Sequence, residues 1–369
     1  MIREASVGLR GFMSAVESGD RDPPGSVEVT TAAKLAFLAD PAAYAEGPGE
    51  VQRRETHFAW VFLAGSRAYK MKKPSHLRGA DWRSTEAREL ACREELRLNR
   101  RLSAPTYLGV EPLMQTPTGL RIGGSGRPVD WLLVMRRLDE RRMLDSVLAA
   151  GTLDAGDLDA VLRFLVAFYR SRDPLPFAPD AYLRRLGARI DEAVTALRRT
   201  ELGICGEQAA RLCQELPAAF AALRAELAER ASSQRIAEVH GDLRAEHVWL
   251  GPPVQIIDAM EVYADLRMLD TAEEIAMLAL DCEQAATPWA SAYLRDHYRN
   301  LADDPCSNRL FEFYMALRAA TQAKLAVWHL DDPGQYPDAA PWRARALRGV
   351  SVALDHCRTA RAAGLARSA

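Results

Sequence analysis

The segment His240-Gly241-Asp242-Leu243-Arg244-Ala245-Glu246-His247 decides the fold of this chain, together with the later apolar run Val254-Gln255-Ile256-Ile257, which ends on Asp258. Between them, Val248-Trp249-Leu250 and the apolar run are joined by Gly251-Pro252-Pro253, a pattern typical of a short β-hairpin. Asp242 and Asp258 are sixteen positions apart, one before the hairpin and one after it. We therefore expect the hairpin to bring the two carboxylates to one cleft.

The same residues also fit a purely structural role. A His-Gly-Asp tripeptide recurs by chance, and it then makes His240 a hydrogen-bonded core residue, Asp242 a helix or turn cap and Asp258 a strand end. The residues upstream decide between the two interpretations.

The region before residue 140 carries the signals of a small antiparallel sheet. Residues 57–63 are rich in aromatic and β-branched side chains, 64–66 form a turn, and 67–73 continue extended, which predicts a β-hairpin with Lys70 on its second strand. The other strands begin near Gln52 and cover 107–114 and 130–135, with a Gly-rich loop at 116–126. This pattern predicts a five-stranded N-terminal lobe over residues 31–138.

A charged amphipathic helix is predicted over residues 83–103. Its apolar residues share one stripe at helical spacing: Ala87, Leu90, Ala91, Leu98 and Leu102. The stripe also passes through Glu94 and Glu95, so one of these carboxylates is expected to face the interior.

From Leu144 onward the pattern is mainly helical. Apolar periodicity covers 157–170, 181–199, 207–231, 266–285, 289–301, 308–329 and 341–363. Residues 139–369 are therefore predicted to form a large, mostly helical C-terminal lobe, which gives an α+β fold. Residues 1–30, with their Gly- and Pro-rich stretch, are predicted to be a partly disordered leader.

Composition indicates a globular protein that acts on small molecules. The 369 residues are 48% hydrophobic, and 48 Lys+Arg nearly balance 50 Asp+Glu, so no global field favours nucleic acid or a membrane surface. The six cysteines form no C-x-x-C pair, which argues against a zinc ribbon or a disulfide framework. No signal peptide or membrane-spanning run is recognisable, so we expect a cytoplasmic protein.

Several further segments occur in a set order along residues 30–335. They are Glu55-Thr56-His57 before Trp60-Val61-Phe62-Leu63, Ala68-Tyr69-Lys70-Met71-Lys72-Lys73-Pro74, Glu95-Leu96-Arg97-Leu98-Asn99-Arg100-Arg101-Leu102, and Asp258-Ala259-Met260-Glu261. With His240-Gly241-Asp242-Leu243, they resemble the aminoglycoside-phosphotransferase-like kinases, in particular the branch often found as the front half of proteins with a second, P-loop ATPase domain. This sequence itself contains no G-x-x-x-x-G-K-[ST] motif.

The resemblance implies a bilobal protein-kinase-like fold and an ATP-dependent transfer of the γ-phosphate. Asp242 would accept or orient the proton of an acceptor hydroxyl, and Asp258 would bind Mg²⁺ between the β- and γ-phosphates. Lys70 would neutralise the α- and β-phosphates, anchored by Glu95, which matches the family position. Lys72 lies on the same strand face and is the alternative to Lys70. All three neighbouring lysines also fit solubilising charges on an edge strand.

Two further binding roles follow from the resemblance. Arg244 is placed to reach the γ-phosphate with its guanidinium fork, although a surface salt bridge explains it equally well. Residues 135–138 would be the hinge between the lobes, where the backbone of Met135 and Arg137 binds adenine.

The sequence departs from the family at two places. Many of these kinases carry Asn where this chain has His247, and imidazole is a poorer Mg²⁺ ligand than an amide oxygen. Three outcomes stay open: His247 acts through a bridging water, the site favours Mn²⁺, or catalysis is weak or lost. The glycine-rich phosphate loop is also absent, since Glu55-Thr56-His57 contains no glycine.

Clues to the acceptor are fewer. An acidic wall after the catalytic segment would favour a cationic acceptor such as an amino sugar or aminoglycoside, unless these residues simply face water: Asp258, Glu261, Asp265, Asp270, Glu273 and Glu274. Glu261 is the first candidate for acceptor binding. Arg318 and Lys324 match a late segment of the family and either line the cleft or support packing.

The leading hypothesis is thus an ATP-dependent small-molecule kinase using Mg²⁺ or Mn²⁺. The rival is a nucleotide-binding pseudokinase with a regulatory role, motivated by His247 and the missing glycine loop. A third hypothesis, a metal-dependent hydrolase built on His240, Asp242, His247 and Asp258, leaves Lys70 and Glu95 without a task.

Overall fold

This computed structural model describes residues 29–77, 80–199, 203–204, 206–331 and 338–365. The predicted leader, up to residue 28, lies outside the described residues. The described chain forms a sheet-based N-terminal lobe followed by a helical C-terminal lobe. The predicted bilobal α+β architecture is therefore confirmed.

The N-terminal lobe is built on an antiparallel six-stranded sheet of order β1-β2-β3-β8-β6-β7. Its elements are α1 (Thr31–Ala39), β1 (Val51–Glu55), β2 (Ala59–Ala64), β3 (Arg67–Lys72), β4 (His76–Leu77), β5 (Ala80–Asp81), α2 (Thr85–Ser103), β6 (Tyr107–Thr116), β7 (Gly119–Ile122) and β8 (Arg127–Arg136). The main sheet has one strand more than the five predicted, because β7 forms inside the expected Gly-rich loop and pairs with the end of β6, and the short β4–β5 ladder was not predicted. The β2–β3 hairpin turns at Gly65, whose φ of +56° suits a residue without a side chain.

Helix α2 presents a face to the sheet that differs from the predicted one. Leu90 is 63% exposed, whereas Glu95 and Asn99 are fully buried. The buried stripe runs through Arg88, Cys92, Glu95, Asn99 and Leu102, at helical spacing but with polar members. Arg88 is satisfied by the Asp130 carboxylate of β8, at 2.8 Å from Nε. The buried face of α2 therefore includes polar residues, and Glu95, not Glu94, lies on it.

The C-terminal lobe is mostly helical, as predicted. Its elements are α3 (Leu144–Ala150), α4 (Ala155–Arg170), α5 (Pro179–Leu197), α6 (Glu207–Ala222), α7 (Arg224–Ser232), β9 (Ile236–Glu238), β10 (Val248–Trp249), β11 (Gln255–Ile256), β12 (Met268–Asp270), α8 (Thr271–Gln284), α9 (Pro288–Ala302), α10 (Asn308–His329) and α11 (Ala340–Leu365). The predicted hairpin is β10–β11, paired antiparallel.

Two boundaries in this lobe differ from the prediction. The helix expected over 207–231 is divided at Leu223 into α6 and α7. The helix expected from residue 266 begins at Thr271, because Met268–Asp270 first pair with Ile236–Glu238 as a two-stranded ladder. In sequence, β9 lies just before the segment His240–His247 and β12 lies after it. Their pairing therefore places the start of this segment next to the start of α8. Among the described residues, no helix is both long enough and apolar enough to cross a membrane.

Candidate active site

Lys70 joins the two lobes through its ammonium group. Its Nζ donates to Glu95 Oε1 of α2 and to Asp258 Oδ1 of the C-terminal lobe, both at 2.7 Å. Burial disfavours the charged ammonium, but the carboxylates of Asp258 and Glu95 outweigh this effect and raise the pKa of Lys70. The predicted Lys70–Glu95 anchor is thus present in the structure, and it extends to the predicted metal ligand.

Lys72 repeats this arrangement one step along the same strand face. Its Nζ donates to Glu95 Oε2 and to Glu261 Oε1, both at 2.6 Å, and lies 4.6 Å from the centre of the Trp82 ring. The Lys72 side chain is 1% exposed, against 12% for Lys70. Lys70 is therefore the lysine of the pair that reaches the cleft, while Lys72 is enclosed behind it.

The backbone at Asp258 adopts the left-handed conformation, with a φ of +62°. Two buried side chains hold it there: the Asp258 N–H donates to Tyr107 Oη at 3.0 Å, and the next N–H, of Ala259, donates to Asn99 Oδ1 at 2.9 Å. Such a conformation is costly for a residue with a side chain and persists where surrounding bonds enforce it. It turns the Asp258 carboxylate toward the cleft, where it is 44% exposed.

The carboxylate of Asp258 stays ionised. Desolvation opposes the charge, but Lys70 and His247 hold the pKa of Asp258 well below its usual range. Since Lys70 bonds to Oδ1, Oδ2 is the oxygen that faces His247, 3.8 Å from its Nε2.

Buried polar groups hold the segment His240–His247 in place. His240, fully buried, donates from Nε2 to the Ile257 carbonyl at 2.7 Å, while its Nδ1 accepts from the Asp242 N–H at 3.3 Å. Burial, with the nearby His247, lowers the pKa of His240 to about 4, so the ring is neutral. The structural interpretation of His240 as a hydrogen-bonded core residue is therefore the observed one, and its bonds link the loop of Asp242 to the strand before Asp258.

Gly241 allows the same loop to pass close to the backbone of residue 266. Its φ is +88°, and a Cβ built there would lie 2.8 Å from the Leu266 carbonyl oxygen. The Gly241 N–H donates to Glu274 Oε1 at 2.7 Å, and Glu274 Oε2 accepts from the Tyr169 hydroxyl at 2.8 Å. Glu274 thus supports the catalytic loop from the start of α8 and does not face the cleft.

Asp242 is held by Arg318 of α10. Arg318 Nη2 donates to Asp242 Oδ1 at 2.5 Å, and the Asp242 side chain is 24% exposed. Burial alone would raise the pKa of Asp242, but Arg318, followed by His247 and Arg244, lowers it to about 2. The carboxylate is therefore charged at neutral pH, with one oxygen fixed and the other available to a hydroxyl. Of the two roles left open for Arg318, the structure shows a buried support for Asp242, since Arg318 lines neither of the two largest described cavities.

His247 is oriented by the backbone of the same loop. Its Nδ1 lies 2.8 Å from the Asp242 carbonyl oxygen, which can only accept, so Nδ1 is the donor and Nε2 is the nitrogen that faces the cleft. Nε2 points toward Asp258 Oδ2 and Glu246 Oε1, at 3.8 and 3.9 Å. An ionised carboxylate beside an imidazole nitrogen is a donor pair for a divalent cation whose remaining ligands would be phosphate oxygens and water.

A cavity of about 450 Å³ lies at the junction of the lobes, with Lys70, His247 and Asp258 along one side. Its remaining walls are largely apolar and include Val61, Leu63, Ala68, Met135, Met143 and Ile257. Arg137 also lines it, directly after β8, and its N–H donates to the Ser66 carbonyl at 2.8 Å. An apolar cleft ending in an ammonium group suits a planar base with attached phosphates.

The turn that covers this cavity contains no glycine. Thr56, between β1 and β2, lines the cavity, and its hydroxyl and N–H close the turn against Ala59. Arg54 at the end of β1 forms an ion pair with Glu140, 2.7 Å away across the cavity, just after the hinge. Side chains, and not a glycine-containing loop, thus form this edge of the cavity.

Neither Arg244 nor Glu261 lines this cavity. Arg244 forms an ion pair with Glu246, which does line it, and Glu261 is bound to Lys72. The remaining members of the predicted acidic wall are mostly paired inside the C-terminal lobe: Asp270 with Arg230, and Glu273 with Arg189. Lys324 forms an ion pair with Glu192 on α5, at 3.0 Å.

Sequence reasoning did not anticipate the roles of Tyr107, Asn99 and Glu274. All three are buried polar side chains, and a buried polar group has to find a partner. Asn99 stands among arginines in the sequence and Glu274 follows another glutamate, so no local pattern marks these two as buried.

The comparisons with known proteins place this chain beside uncharacterised relatives. Proteins of Mycobacterium bovis and Mycobacterium tuberculosis are 33% identical over 307 residues, which is 82% of this chain and 59% of theirs. The chain therefore spans less than two thirds of the length of these curated relatives. No family model matches it.

Solved structures similar to the chain include small-molecule kinases at low sequence identity. A choline/ethanolamine kinase family protein from Mesorhizobium loti is 15% identical, with a TM-score of 0.49 over 89% of this chain and 99% of its own. An aminoglycoside phosphotransferase from Streptomyces rimosus, in complex with ADP and streptomycin, is 15% identical, with a TM-score of 0.45 over 80% and 99%. An ethanolamine kinase from Plasmodium vivax is 10% identical, with a TM-score of 0.45 over 82% and 81%.

Proposed function

We propose that this chain is an aminoglycoside-phosphotransferase-like kinase that moves the γ-phosphate of ATP to a hydroxyl of a small, sugar-like acceptor. The observation that carries the proposal is Lys70, which bridges Glu95 and Asp258 at the side of a cavity of about 450 Å³ between the lobes. A buried Lys–Glu pair beside an ionised carboxylate in an interlobe cleft is the arrangement that binds and neutralises nucleotide phosphates.

The nucleotide end of the reaction is served by four side chains. Lys70 offers its ammonium to the phosphates, and Glu95 keeps that ammonium aimed into the cleft. Asp258 and His247 would hold the divalent cation, which supplies charge neutralisation on the phosphates when bound. The apolar walls contributed by Met135 and Val61 enclose the base.

Asp242 serves the acceptor end. With a pKa of about 2 it is a weak base, so its main task is to accept a hydrogen bond from the acceptor hydroxyl and to aim the oxygen at the γ-phosphorus. The proton passes to the carboxylate only as the new P–O bond forms and the bond to the β-phosphate oxygen breaks, which releases ADP. Arg318 keeps the carboxylate in place during the transfer.

ADP release tests this proposal directly. Purified protein is incubated with ATP, Mg²⁺ or Mn²⁺ and a panel of hexoses, amino sugars, aminoglycosides and choline-like alcohols. We expect acceptor-dependent ADP release that Asp242→Asn lowers by 10³-fold or more, on the order expected for loss of positioning and base. Asp355→Asn, on the exposed side of α11 where Asp355 pairs with Arg358, is the matched control.

A nucleotide-binding pseudokinase is the second candidate, favoured by the imidazole of His247 beside Asp258. It predicts ADP binding by calorimetry that does not depend on metal, and no turnover with any acceptor under either metal. If ADP binding depended on metal but no acceptor were phosphorylated, the pseudokinase candidate would be refuted and the kinase proposal would be weakened.

A further inference from the structure

A second cavity, of about 750 Å³, lies beside residues 244–246. The loop residues Arg244, Ala245 and Glu246 form one wall, and α11 forms the opposite wall through Arg345 and Arg348. Binding sites for small molecules have volumes of this order.

The two cavities share part of their lining. Asp145 and Glu246 line both, so the two cavities adjoin at these residues. The nucleotide cavity contains Lys70, the proposed phosphate-binding residue. A molecule in the second cavity therefore lies next to the nucleotide cavity, and Arg244 and Ala245 bring it close in sequence to Asp242, which itself lines neither cavity.

The acidic groups of the second cavity already have partners. Glu246 is paired with Arg244, Asp281 Oδ2 accepts from the Ala245 N–H at 3.1 Å, and Asp145 Oδ1 accepts from the Ser146 N–H at 2.8 Å. Burial also raises the pKa of Asp281.

The two arginines of α11 have no such partners. Neither Arg345 nor Arg348 forms a hydrogen bond or ion pair within the part of the chain that the structure describes; Arg345 lies 6.0 Å over the Trp342 ring. They are three residues apart and so share one face of the helix. Partial burial, then the nearby Arg244, and also Arg348 and Arg318, lower the pKa of Arg345, although Glu246 opposes them. An anion between these guanidinium groups would relieve their repulsion.

The position of α11 over the cavity is fixed by close packing. A Cβ at Gly349 would lie 2.9 Å from Ala323 Cβ and 3.0 Å from the Ala319 carbonyl oxygen, so the helix contacts α10 at backbone distance. The backbone that carries Arg345 and Arg348 is thus fixed against α10, so only the two side chains have to be ordered when an anion binds.

We propose that the second cavity is the acceptor site and that it selects a hydroxylated molecule bearing a carboxylate or phosphate group, read by Arg345 and Arg348. This inference rests on the proposed phosphotransfer and names its substrate class. It replaces the cationic acceptor expected from the acidic residues of the sequence, since apart from Asp258 none of those six lines either cavity in the described structure.

Four probes on one hexose scaffold test the charge preference: glucose, glucosamine, glucuronate and glucose 6-phosphate, titrated by calorimetry into the full chain. The variant that removes the proposed anion-binding pair, called the reading variant, carries both Arg345→Glu and Arg348→Glu. The matched control carries Arg358→Glu and Arg361→Glu on the same helix, where both arginines pair with other acids. ADP is titrated into all three proteins.

We expect at least one anionic probe to bind tenfold or more tightly than glucose, as charge-assisted bonds to two guanidinium groups allow. The reading variant should lose this advantage and gain affinity for glucosamine, while the control keeps the wild-type order and ADP binds all three proteins alike.

Equal binding of all four probes, preference for glucosamine, or no binding of either anionic probe would overturn the anion site. So would an equal loss of ADP affinity in the reading variant, because the arginines would then serve the nucleotide. The two proposals fail separately. Arginine-dependent binding of an anionic probe in a protein that never releases ADP refutes phosphotransfer alone, whereas ADP release driven best by neutral or cationic acceptors refutes only the anion site.

Discussion

The Arg318 guanidinium and the Asp242 carboxylate lie 2.5 Å apart, and this pair links the middle of α10 to the catalytic loop. Arg318 is 8% exposed, so its charge acts on Asp242 with little screening by water. The contact joins residues 76 positions apart, and it fixes both the direction and the charge of the proposed hydroxyl-binding group.

Replacing Arg318 by Met should lower kcat and move the pH profile. Without the guanidinium, burial raises the pKa of Asp242 from about 2, so the acid limb of the kcat profile shifts to higher pH. We expect kcat to fall about 10- to 100-fold at neutral pH, with partial rescue by Arg318→Lys. Lys324→Met on the same helix is the control. An unchanged acid limb in Arg318→Met would show that the pair serves stability alone.

Lys70→Met and Lys72→Met should separate nucleotide binding from folding. Lys70 faces the cavity, so its loss should weaken ADP binding about tenfold or more. Lys72 lies behind Lys70, and its loss leaves the buried Glu261 carboxylate and one carboxylate oxygen of Glu95 without a cation. Lys72→Met should therefore lower the melting temperature and leave the affinity for ADP nearly unchanged. Equal losses of ADP affinity in the two variants would contradict this division.

His247→Asn should raise turnover with Mg²⁺. An amide oxygen is a harder ligand than imidazole, so the ratio of Mn²⁺-supported to Mg²⁺-supported kcat should fall. The measurement is steady-state ADP release under each metal for both proteins. If the variant loses activity with both metals, the bond from His247 Nδ1 to the Asp242 carbonyl matters more than metal preference.

Gly241→Ala should destabilise the protein and impair catalysis together. The alanine would have to keep the backbone φ of +88°, and its methyl group would lie 2.8 Å from the Leu266 carbonyl oxygen. We expect a loss of roughly 2–4 kcal/mol in the free energy of unfolding. Gly151→Ala is the control, because Gly151 has a φ of +65° with no atom within 4 Å of its Cβ and so bears the backbone strain alone. Equal losses in the two variants would mean that the approach to Leu266 relaxes freely.

His356 should make stability depend on pH on the alkaline side. Burial opposes its charge, but the carboxylates of Glu283, 3.3 Å from Nε2, and Glu312, hydrogen-bonded to Nδ1, outweigh it and raise the pKa of His356 to about 9. A histidine with a raised pKa in the folded state contributes stability that is complete below its unfolded value of 6.5 and is lost as the pH rises through about 9. This contribution is on the order of 3 kcal/mol. Urea unfolding of wild type and His356→Gln at pH 6 and pH 9.5 should therefore differ most at pH 6, and parallel curves would refute the assignment.

The sequence was sufficient to predict the fold and the neighbourhood of the proposed site. The hairpin between Asp242 and Asp258, the strand that carries Lys70 and the helix that carries Glu95 were all predicted close to their observed bounds. Strong period-two and period-3.6 patterns determine such elements locally.

The partners of buried polar groups were not predictable in the same way. Arg318 reaches Asp242, and Arg230 reaches Asp270 and Asp304, only because distant helices pack together. Sequence reasoning also assumed an apolar stripe on α2, whereas Arg88 and Asn99 belong to the buried face. A buried cation or amide is indistinguishable from a surface one until its partner is known, so the roles of Arg244, His247 and Glu261 stay predictions.

Glu95 gives one oxygen to Lys70 and the other to Lys72. A change at position 95 therefore strands two cations at once, while a change at Lys70 alone leaves Glu95 still neutralised by Lys72. This asymmetry suggests an order of substitution in a lineage that loses activity. The cavity-facing Lys70 can be replaced first, whereas Glu95 can be replaced without leaving a buried cation unpaired only after both lysines have been replaced. Homologues that have abandoned chemistry should consequently retain the glutamate longer than the lysine, an epistatic signature that an alignment of the family would reveal.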